Sequence, residues 1–138
     1  QRASEFLKDI IRKAEGSGLL LAVENTEQDS LAEFKSMLDA LPTAAVGITF
    51  DTGNALLANE DPVQMYHELQ GRICYIHLKD IAVTEKGGEA TYLGNGSVDF
   101  PKLYPSFARE QVPLCLEFPG GEDPWRTVEL SLQYWLEL

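Results

Sequence analysis

Three things are scarce in this sequence: basic residues, cysteines and long apolar runs. Only 11 Lys and Arg residues stand against 22 Asp and Glu residues, so the net charge is −11. Nucleic-acid binding is driven largely by clustered Lys and Arg, and anionic membrane surfaces attract basic segments as well. The charge balance therefore argues against nucleic acid and membrane as partners, and it favours a small ligand or a metal cation. No apolar run approaches the ~20 residues that a membrane-spanning helix needs.

Cysteine is too rare for a disulfide framework. Cys74 and Cys115 are the only two, and both lie inside apolar runs. We expect them to be reduced thiols of a cytoplasmic protein rather than partners in a disulfide. The sequence has no CxxC pair, no zinc-finger spacing and no GxSxG motif, which argues against the sites that those motifs form.

Four short apolar runs alternate with segments of helical periodicity. Continuous apolar runs of this length are typical of strands covered on both faces, and they predict strands at 19–24, 46–51, 73–79 and 113–118. Helices are predicted at 3–15, from a cap at Asp29 or Ser30 to Pro42, from Asp61, at 99–110, and from Asp123. A glycine-containing turn is expected after the second strand and a long glycine-rich loop after the third. Strands that alternate with helices predict an α/β fold with a parallel sheet and right-handed crossovers.

An ionisable side chain stands at or near the end of each predicted strand. Alternation along the strands places four of them on one face of the sheet, and we call them the strand-end set: Glu24, Asp51, His77 and Glu117. The opposite face then contains only apolar or thiol residues: Leu19, Leu21, Val23, Val46, Ile48, Phe50, Cys74, Ile76, Leu78, Leu114, Leu116 and Phe118. Ile73 is predicted on the same face as the strand-end set. Taken singly, Glu24 or Asp51 could be a helix cap or a loop acid, and His77 could be a core histidine. Together they lie at the strand ends where parallel sheets bind ligands, and this favours a metal or catalytic site.

Three carboxylates and one imidazole form a mostly oxygen ligand set. Such donors suit Mn²⁺, Mg²⁺ or Zn²⁺, with Co²⁺ as a usual substitute in vitro. A divalent ion of this kind could take two neighbouring oxygens of a hydroxy-carbonyl substrate. It would stabilise an enediolate while carboxylates move protons next to the carbonyl group.

Five short segments follow one another in a specific order and spacing: VENT at 23–26, FDTGN at 50–54, YIHLKD at 75–80, GNGSVDF at 94–100 and LEFPG at 116–120. They resemble the last four strand–helix units of the xylose isomerase-like TIM barrel superfamily, and within it the sugar phosphate isomerase/epimerase group. The resemblance implies that residues 1–138 are one partial domain, the C-terminal half of a barrel. A complete barrel needs ~250 residues, and this sequence begins at Gln1 without Met. We therefore expect a missing N-terminal half-barrel or a second copy of the chain to close the barrel.

The resemblance also implies roles for individual residues. The strand-end set would be the metal ligands, and Glu24 and Glu117 would face each other across a small sugar as the acid–base pair. Asn54 and Lys79 are candidate substrate-binding residues, although an ion pair between Lys79 and Asp80 is an equal alternative. The implied function is a divalent-metal-dependent isomerase or epimerase of a small sugar, ketose or sugar derivative.

The sequence departs from two branches of this superfamily. Type IV apurinic endonucleases hold three zinc ions with additional His and Asp ligands, where this chain has Asn54, Gly88 and Ala90. Ketose 3-epimerases of the group place a His near Asn54 and an Arg soon after His77, and this chain has neither. The turn that begins at Gly94 stands where barrels often hold phosphate, although a tight turn explains its glycines equally well.

Other functions are open on the sequence alone. The same metal site could serve a dehydratase or a hydrolase, because fold and ligands do not decide the reaction. A non-catalytic sugar-binding module is the alternative from a different class. Stoichiometric metal binding without turnover of any ketose would favour that module over an enzyme.

Overall fold

The computed structural model describes residues 2–41, 45–85, 87–118 and 122–138, with side chains from residue 7 onward. Within these ranges the chain forms the following helices and strands: α1 (Arg2–Ser17), β1 (Leu21–Glu24), α2 (Leu31–Asp39), β2 (Val46–Asp51), α3 (Thr52–Leu57), α4 (Pro62–Leu69), β3 (Ile73–Leu78), β4 (Asp80–Thr84), β5 (Gly87–Thr91), α5 (Phe100–Glu110), β6 (Leu114–Leu116) and α6 (Pro124–Glu137). A 3₁₀ turn, Gln70–Arg72, connects α4 to β3. None of the described helices is both long enough and apolar enough to cross a membrane.

A four-stranded parallel sheet forms the centre of the fold. Its strand order is β1-β2-β3-β6, and every neighbouring pair runs parallel. Asp51 pairs with His77, which brings the carboxyl ends of β2 and β3 to the same height. The strands β4 and β5 form a separate antiparallel hairpin. The parallel strand–helix units confirm the predicted fold class, part of a TIM barrel, in which β1 and β6 are the outer strands of the described sheet.

Side-chain caps decide where the helices begin. Ser30, rather than Asp29, caps α2: its hydroxyl accepts a hydrogen bond from the Glu33 amide and donates one to the Glu33 carboxylate at 2.6 Å. The spacing of Ser30 and Glu33 is that of a capping box, but here the glutamate carboxylate accepts from the serine hydroxyl rather than from the serine backbone amide. The predicted starts of α4, α5 and α6 are confirmed, and the structure shows that Asp61, Asp99 and Asp123 cap these three helices. Pro42, which was expected to help end α2, lies outside the described residues.

Two segments that were predicted as turns or loops contain regular structure. The turn after β2 is the helix α3, because the Asp51 carboxylate caps it by accepting a hydrogen bond from the Asn54 amide at 2.7 Å. The glycine-rich loop after β3 contains the β4–β5 hairpin. Its second strand, Gly87–Thr91, consists of small and polar residues and lacks the apolar alternation that marks a strand in sequence. The first strand is shorter than predicted, and Leu19 and Leu20, which precede it, are exposed.

The core lies between the sheet and its helices, on the face opposite the strand-end set. Tyr66 of α4 packs between Phe50 and Phe107, with ring centroids 5.8 and 4.9 Å away, and all three rings are buried. Burial of this apolar layer is the main force that holds the helices on the sheet. Other buried members of the cluster are Phe34, Leu38, Ile48, Ile76, Leu78, Phe100 and Leu103. The predicted apolar faces of β2 and β3 are thus largely confirmed.

The side chains of two residues at the start of β3 lie on the face of the sheet opposite to the one predicted. The register between β2 and β3 shifts there, since Ile48 pairs with Ile73 whereas Thr49 pairs with Tyr75. Ile73 therefore packs in the core. A Cβ atom on Gly47 would lie 2.5 Å from the Cys74 sulfur, so Cys74 is on the interior face instead. Such a bulge breaks the alternation on which the prediction depended. Cys74 and Cys115 are both free thiols, as expected.

Candidate metal centre

The structure brings the strand-end set together at the carboxyl end of the sheet. Glu24 and Asp51 are the last residues of β1 and β2, His77 is the last but one of β3, and Glu117 directly follows β6. Each side chain offers one ligand atom, and these four atoms all lie within 4.8 Å of one another. His77 Nδ1 lies 2.9 Å from Glu24 Oε1 and 3.9 Å from Asp51 Oδ2, and it also contacts Glu117 Oε2.

The four side chains differ in their exposure to solvent. Asp51 is completely buried, whereas Glu24 and Glu117 are 38% and 35% exposed and His77 is 20% exposed. Burial raises the pKa of the Asp51 carboxyl, although its hydrogen bonds with the Asn54 amide and Lys79 oppose that rise. Asp51 is therefore enclosed at the base of the cluster, and the two glutamates are the carboxylates that a ligand can reach.

Lys79 is the cation of the cluster. Its ammonium lies 2.9 Å from Asp51 Oδ2 and 2.8 Å from Glu117 Oε1, and it donates a hydrogen bond to Asn54 Oδ1 at 3.2 Å. Burial alone would lower the pKa of Lys79, but its hydrogen bonds and attraction to Glu117 and Asp51 outweigh burial and raise it. The alternative ion pair between Lys79 and Asp80 does not form, because Lys79 turns toward the strand-end set.

Two residues that the sequence analysis missed connect the strand ends. The buried Asn25 side chain donates a hydrogen bond to the Asp51 carbonyl at 3.0 Å and accepts one from the Asp51 amide at 2.8 Å. The Thr52 hydroxyl accepts from the Lys79 amide at 3.0 Å and donates to the Lys79 carbonyl at 2.7 Å. Both residues lie in segments that carry the family resemblance, Asn25 in VENT and Thr52 in FDTGN, and each directly follows a strand-end acid. Together they fix the relative positions of Glu24, Asp51 and Lys79.

The turn after the hairpin is organised by Asp80. Its buried carboxylate accepts hydrogen bonds from the backbone amides of Ile81, Gly94, Gly96 and Val98, at 2.9 to 3.1 Å. Gly94 has φ of +86°, a conformation that favours glycine. The tight-turn explanation of these glycines is therefore favoured over a phosphate site, because the amides already bind a carboxylate of the protein.

A cleft of about 280 Å³ opens beside the cluster. It is lined by Glu27, Asn54, Leu57, Lys79, Ile81, Gly88, Ala90, Glu117 and Phe118. Two of these, Lys79 and Glu117, belong to the charged cluster, and Ile81, Gly88 and Ala90 belong to the hairpin. A larger groove of about 640 Å³ runs along α2, but none of the strand-end set lines it. The smaller cleft is therefore the candidate substrate pocket.

The donor set fits a divalent metal ion. Donors bound at ~2.0–2.2 Å from one ion are at most ~4.4 Å apart, so these four atoms need only small side-chain movements to share it. Three carboxylates and one imidazole are donors that Mn²⁺, Mg²⁺, Zn²⁺ and Co²⁺ accept. The positive charge of Lys79 offsets only part of the negative charge of the three carboxylates, which leaves a net attraction for a cation.

Known proteins share this arrangement of strands and helices. The family described as xylose isomerase-like TIM barrel matches residues 1–137. The 3-oxo-isoapionate decarboxylase of Pectobacterium atrosepticum is 29% identical over 108 residues, which cover 74% of this chain and 39% of that enzyme. An inosose dehydratase of Lacticaseibacillus casei is 26% identical over 119 residues, which cover 75% of this chain and 37% of that enzyme. A xylose isomerase domain protein from Planctomyces limnophilus superposes with a TM-score of 0.82 at 18% identity, over 97% of this chain and 50% of that chain.

These matches span part of each relative. The chain corresponds to 39% and 37% of the length of the two curated relatives and to half of the solved structure. The similarity to the solved structure concerns the fold, because the sequence identity is low. The family match, by contrast, extends over almost every residue and agrees with the parallel sheet and its strand–helix order. This chain belongs to the xylose isomerase-like TIM barrel family.

Proposed function

We propose that this chain is part of a divalent-metal-dependent enzyme that acts on a small sugar, ketose or sugar derivative as an isomerase or epimerase. The observation that carries the proposal is the strand-end set, four metal-ligand atoms within 4.8 Å of one another beside a small cleft. This cluster lies at the carboxyl ends of parallel strands, which is where barrels of this kind have their active sites.

Glu24 and Glu117 are the acid–base pair of this proposal. Both contact His77 and both are partly exposed, whereas Asp51 is buried and serves only as a ligand. Removing a proton next to a carbonyl group requires a base within hydrogen-bond reach of the carbon. One carboxylate on either side of a planar intermediate lets an epimerase take a proton from one face and return it to the other. A bound metal ion would offset the negative charge that develops on the substrate oxygens.

Lys79 and Asn54 are the proposed substrate-binding residues. Both line the cleft, and Asn54 is held in place by a hydrogen bond from its side-chain amide to the Asn25 carbonyl at 3.0 Å. Its side-chain oxygen accepts from Lys79, so the two side chains orient each other. A hydroxyl or carbonyl oxygen of a sugar that enters the cleft meets an ammonium group of defined position.

A dehydratase is the second candidate, and the relatives favour it. Inosose dehydratase and 3-oxo-isoapionate decarboxylase, at 26% and 29% identity, both carry names of lyase reactions. Dehydration can begin with the same proton removal next to a carbonyl, after which a hydroxide leaves the neighbouring carbon and takes a proton to become water. The strand-end set would serve either course, since the acid that returns a proton to carbon in an epimerase would protonate the leaving oxygen in a dehydratase.

We infer that further strand–helix units cover the edges of the sheet. Leu19, Leu20 and Leu114, next to β1 and in β6, are 65%, 53% and 38% exposed, and Trp125 of α6 is 80% exposed. An open sheet edge with exposed apolar residues is costly in water. Either the rest of a longer chain or a second copy supplies these units. Light scattering distinguishes the two, because a second copy doubles the mass of this chain in solution.

The test of the proposed function compares metal content and turnover in matched variants. Elemental analysis of the full-length protein after Mn²⁺ loading should find about one ion per barrel in the wild type, and much less in Glu24→Gln and His77→Ala. Glu27→Gln is the matched control, because Glu27 lines the cleft without belonging to the strand-end set. Chelation should lower the melting temperature of the wild type and of this control.

Turnover is then measured on a panel of ketoses and inososes. Exchange of the proton at the α-carbon with solvent deuterium reports the shared first step, and the product distinguishes an epimer from a dehydrated ketone. Metal binding without α-proton exchange on any compound would favour a non-catalytic sugar-binding module. Wild-type protein that binds no Mn²⁺ would contradict both enzymatic candidates.

A further inference from the structure

A second buried carboxylate lies outside the strand-end set. Asp80 is 0% exposed, and among the described residues it forms no ion pair with a Lys, Arg or His side chain. Its two oxygens instead accept four backbone N–H groups: Oδ1 those of Ile81 and Val98, and Oδ2 those of Gly94 and Gly96. A buried carboxylate requires such donors in place of water. Backbone amides therefore supply two hydrogen bonds to each oxygen of the Asp80 carboxylate.

These four donors belong to two different parts of the chain. Ile81 is in β4, whereas the other three lie in the turn between β5 and α5. A further backbone hydrogen bond, from the Ser97 amide to the Ile81 carbonyl at 2.9 Å, connects the same two parts. The fit is tight, because a Cβ atom on Gly96 would lie 2.2 Å from Asp80 Oδ1. One side chain thus joins the base of the hairpin to the turn that leads into α5.

Besides Asp80, the hairpin is held by the buried side chain of Ile81 and, just after β5, by a hydrogen bond from the Leu93 amide to the Ser131 hydroxyl at 3.1 Å. Its two strands pair only with each other in the described sheets, and an isolated two-stranded hairpin is at best marginally stable in water. It packs on α3 through Gly88, where a Cβ atom would lie 2.5 Å from Leu57 Cδ2. Ile81, Gly88 and Ala90 nevertheless form one wall of the cleft, with Lys79 and Glu117 also among its lining residues. The shape of the pocket therefore depends on how the hairpin is held.

We propose that Asp80 is a positioning residue of the substrate pocket: as the internal anion of the turn at 94–98, it holds the β4–β5 hairpin as a wall of the cleft. The substrate part of this inference rests on the proposed function. Asp80 touches neither the strand-end set nor the cleft, so it acts through Ile81 and the hairpin. The anchoring itself does not depend on which reaction the site performs.

Chemical rescue by a small anion tests this role. Asp80→Ala removes the carboxylate and leaves four amide donors around a cavity that formate can enter. In the full-length protein, exchange of the hairpin and turn amides at 81–98 should accelerate on the order of tenfold or more in this variant. Saturating formate should return those amides most of the way to wild type, and chloride at equal ionic strength should not. Exchange in β2 and β3 should change much less.

Asp99→Ala is the matched control. Asp99 also accepts a backbone amide at the start of α5, but it is an exposed cap rather than an enclosed anion. Its removal should loosen α5 without formate rescue and without faster exchange in the hairpin. A purely global loss of stability would accelerate exchange everywhere in Asp80→Ala, and that result, or the absence of formate rescue, would overturn the proposal.

Mn²⁺ binding separates this inference from the proposed function. We expect Asp80→Ala to keep wild-type Mn²⁺ stoichiometry, because none of the strand-end set contacts Asp80. If the wild type bound no Mn²⁺ while formate still rescued the hairpin, the proposed function would fail and the anchoring would stand. If Asp80→Ala alone lost Mn²⁺, Asp80 would support the metal ligands themselves and the assignment to the pocket wall would be wrong.

Discussion

Asp51 and Asp80 have the same side chain and the same complete burial, yet their surroundings differ in kind. Asp51 accepts one backbone amide and one ammonium, and its Oδ2 still lies 3.9 Å from His77. Asp80 accepts four backbone amides. Backbone donors cannot move away without unfolding the turn, whereas a lysine side chain can. Burial of an acid therefore does not by itself indicate a functional site; what indicates one is a carboxylate whose partners are movable.

The pKa of Asp51 is consistent with this difference. Burial raises it despite two hydrogen bonds, so the protein does not fully compensate the charge of this carboxylate. A metal ion would supply the missing compensation. The comparison can be tested by changing each aspartate and its neighbours in turn.

The largest expected effect is on metal affinity in Asp51→Asn. Loss of a charged ligand should raise the Mn²⁺ dissociation constant on the order of 1,000-fold or more, which exceeds the ~10–100-fold cost of losing a supporting residue around a metal. Isothermal titration calorimetry on the full-length protein measures it. Asp80→Asn is the control and should bind Mn²⁺ nearly as the wild type does. Equal losses in the two variants would remove the distinction between the two aspartates.

The next effect is on stability in Asp80→Ala. Four buried amides lose a charged acceptor, so we expect the free energy of unfolding to fall by ~3 kcal/mol or more. Urea titration measures this fall. Asp99→Ala, which removes an exposed helix cap, should lower the same quantity by much less. A smaller loss in Asp80→Ala than in the cap variant would contradict the backbone-bound anion.

Lys79→Met is expected to have a smaller effect, which lowers the free energy of unfolding but raises the affinity for Mn²⁺. Without the ammonium, Asp51 and Glu117 lose their cationic partner, so the free energy of unfolding of the metal-free protein should fall by ~2 kcal/mol. Mn²⁺ should bind more tightly, because a neighbouring positive charge is removed. Urea titration with and without Mn²⁺ should therefore show the difference from wild type shrinking when metal is present. A constant difference would mean that Lys79 and the metal site are independent.

The smallest effect is expected for Gly53→Ala. A Cβ atom at this position in α3 would lie 2.5 Å from Cγ and Cδ of Lys79, so the lysine must shift away from Asp51. The Cβ atom of Lys79, which moves only with the backbone, would also lie 2.9 Å away, and overpacking of this kind costs ~1–3 kcal/mol. Alanine regains up to ~1 kcal/mol of helix propensity over glycine, so we expect a net loss of ~1 kcal/mol in the free energy of unfolding. Gly71→Ala is the control, since nothing lies within 4 Å of its Cβ position. A larger loss at Gly71 would show that backbone freedom, not Lys79, decides the result.

Much of the scaffold could be predicted from the sequence, and the failures have definite causes. The strand β2 and the caps of the later helices follow from apolar runs and from Asp followed by a helical pattern, which are local signals. The helix α3 was not predicted, because its cap, Asp51, was assigned to the strand-end set. In the structure Asp51 is both a helix cap and a candidate metal ligand. Ile73 and Cys74 were assigned to the wrong faces because a bulge is a property of two paired strands.

The amino-acid sequence by itself determined the α/β alternation, the apolar face of the sheet and which four side chains end their strands on the other face. These follow from the period of two along a strand and from the burial of apolar surface. Only the tertiary structure decided that Lys79 pairs with Asp51 and Glu117 rather than with Asp80, and that the turn at Gly94 binds a carboxylate of the chain itself. The physical reason is that a charged side chain takes the partners that folding brings within hydrogen-bond reach, and sequence spacing does not contain those distances.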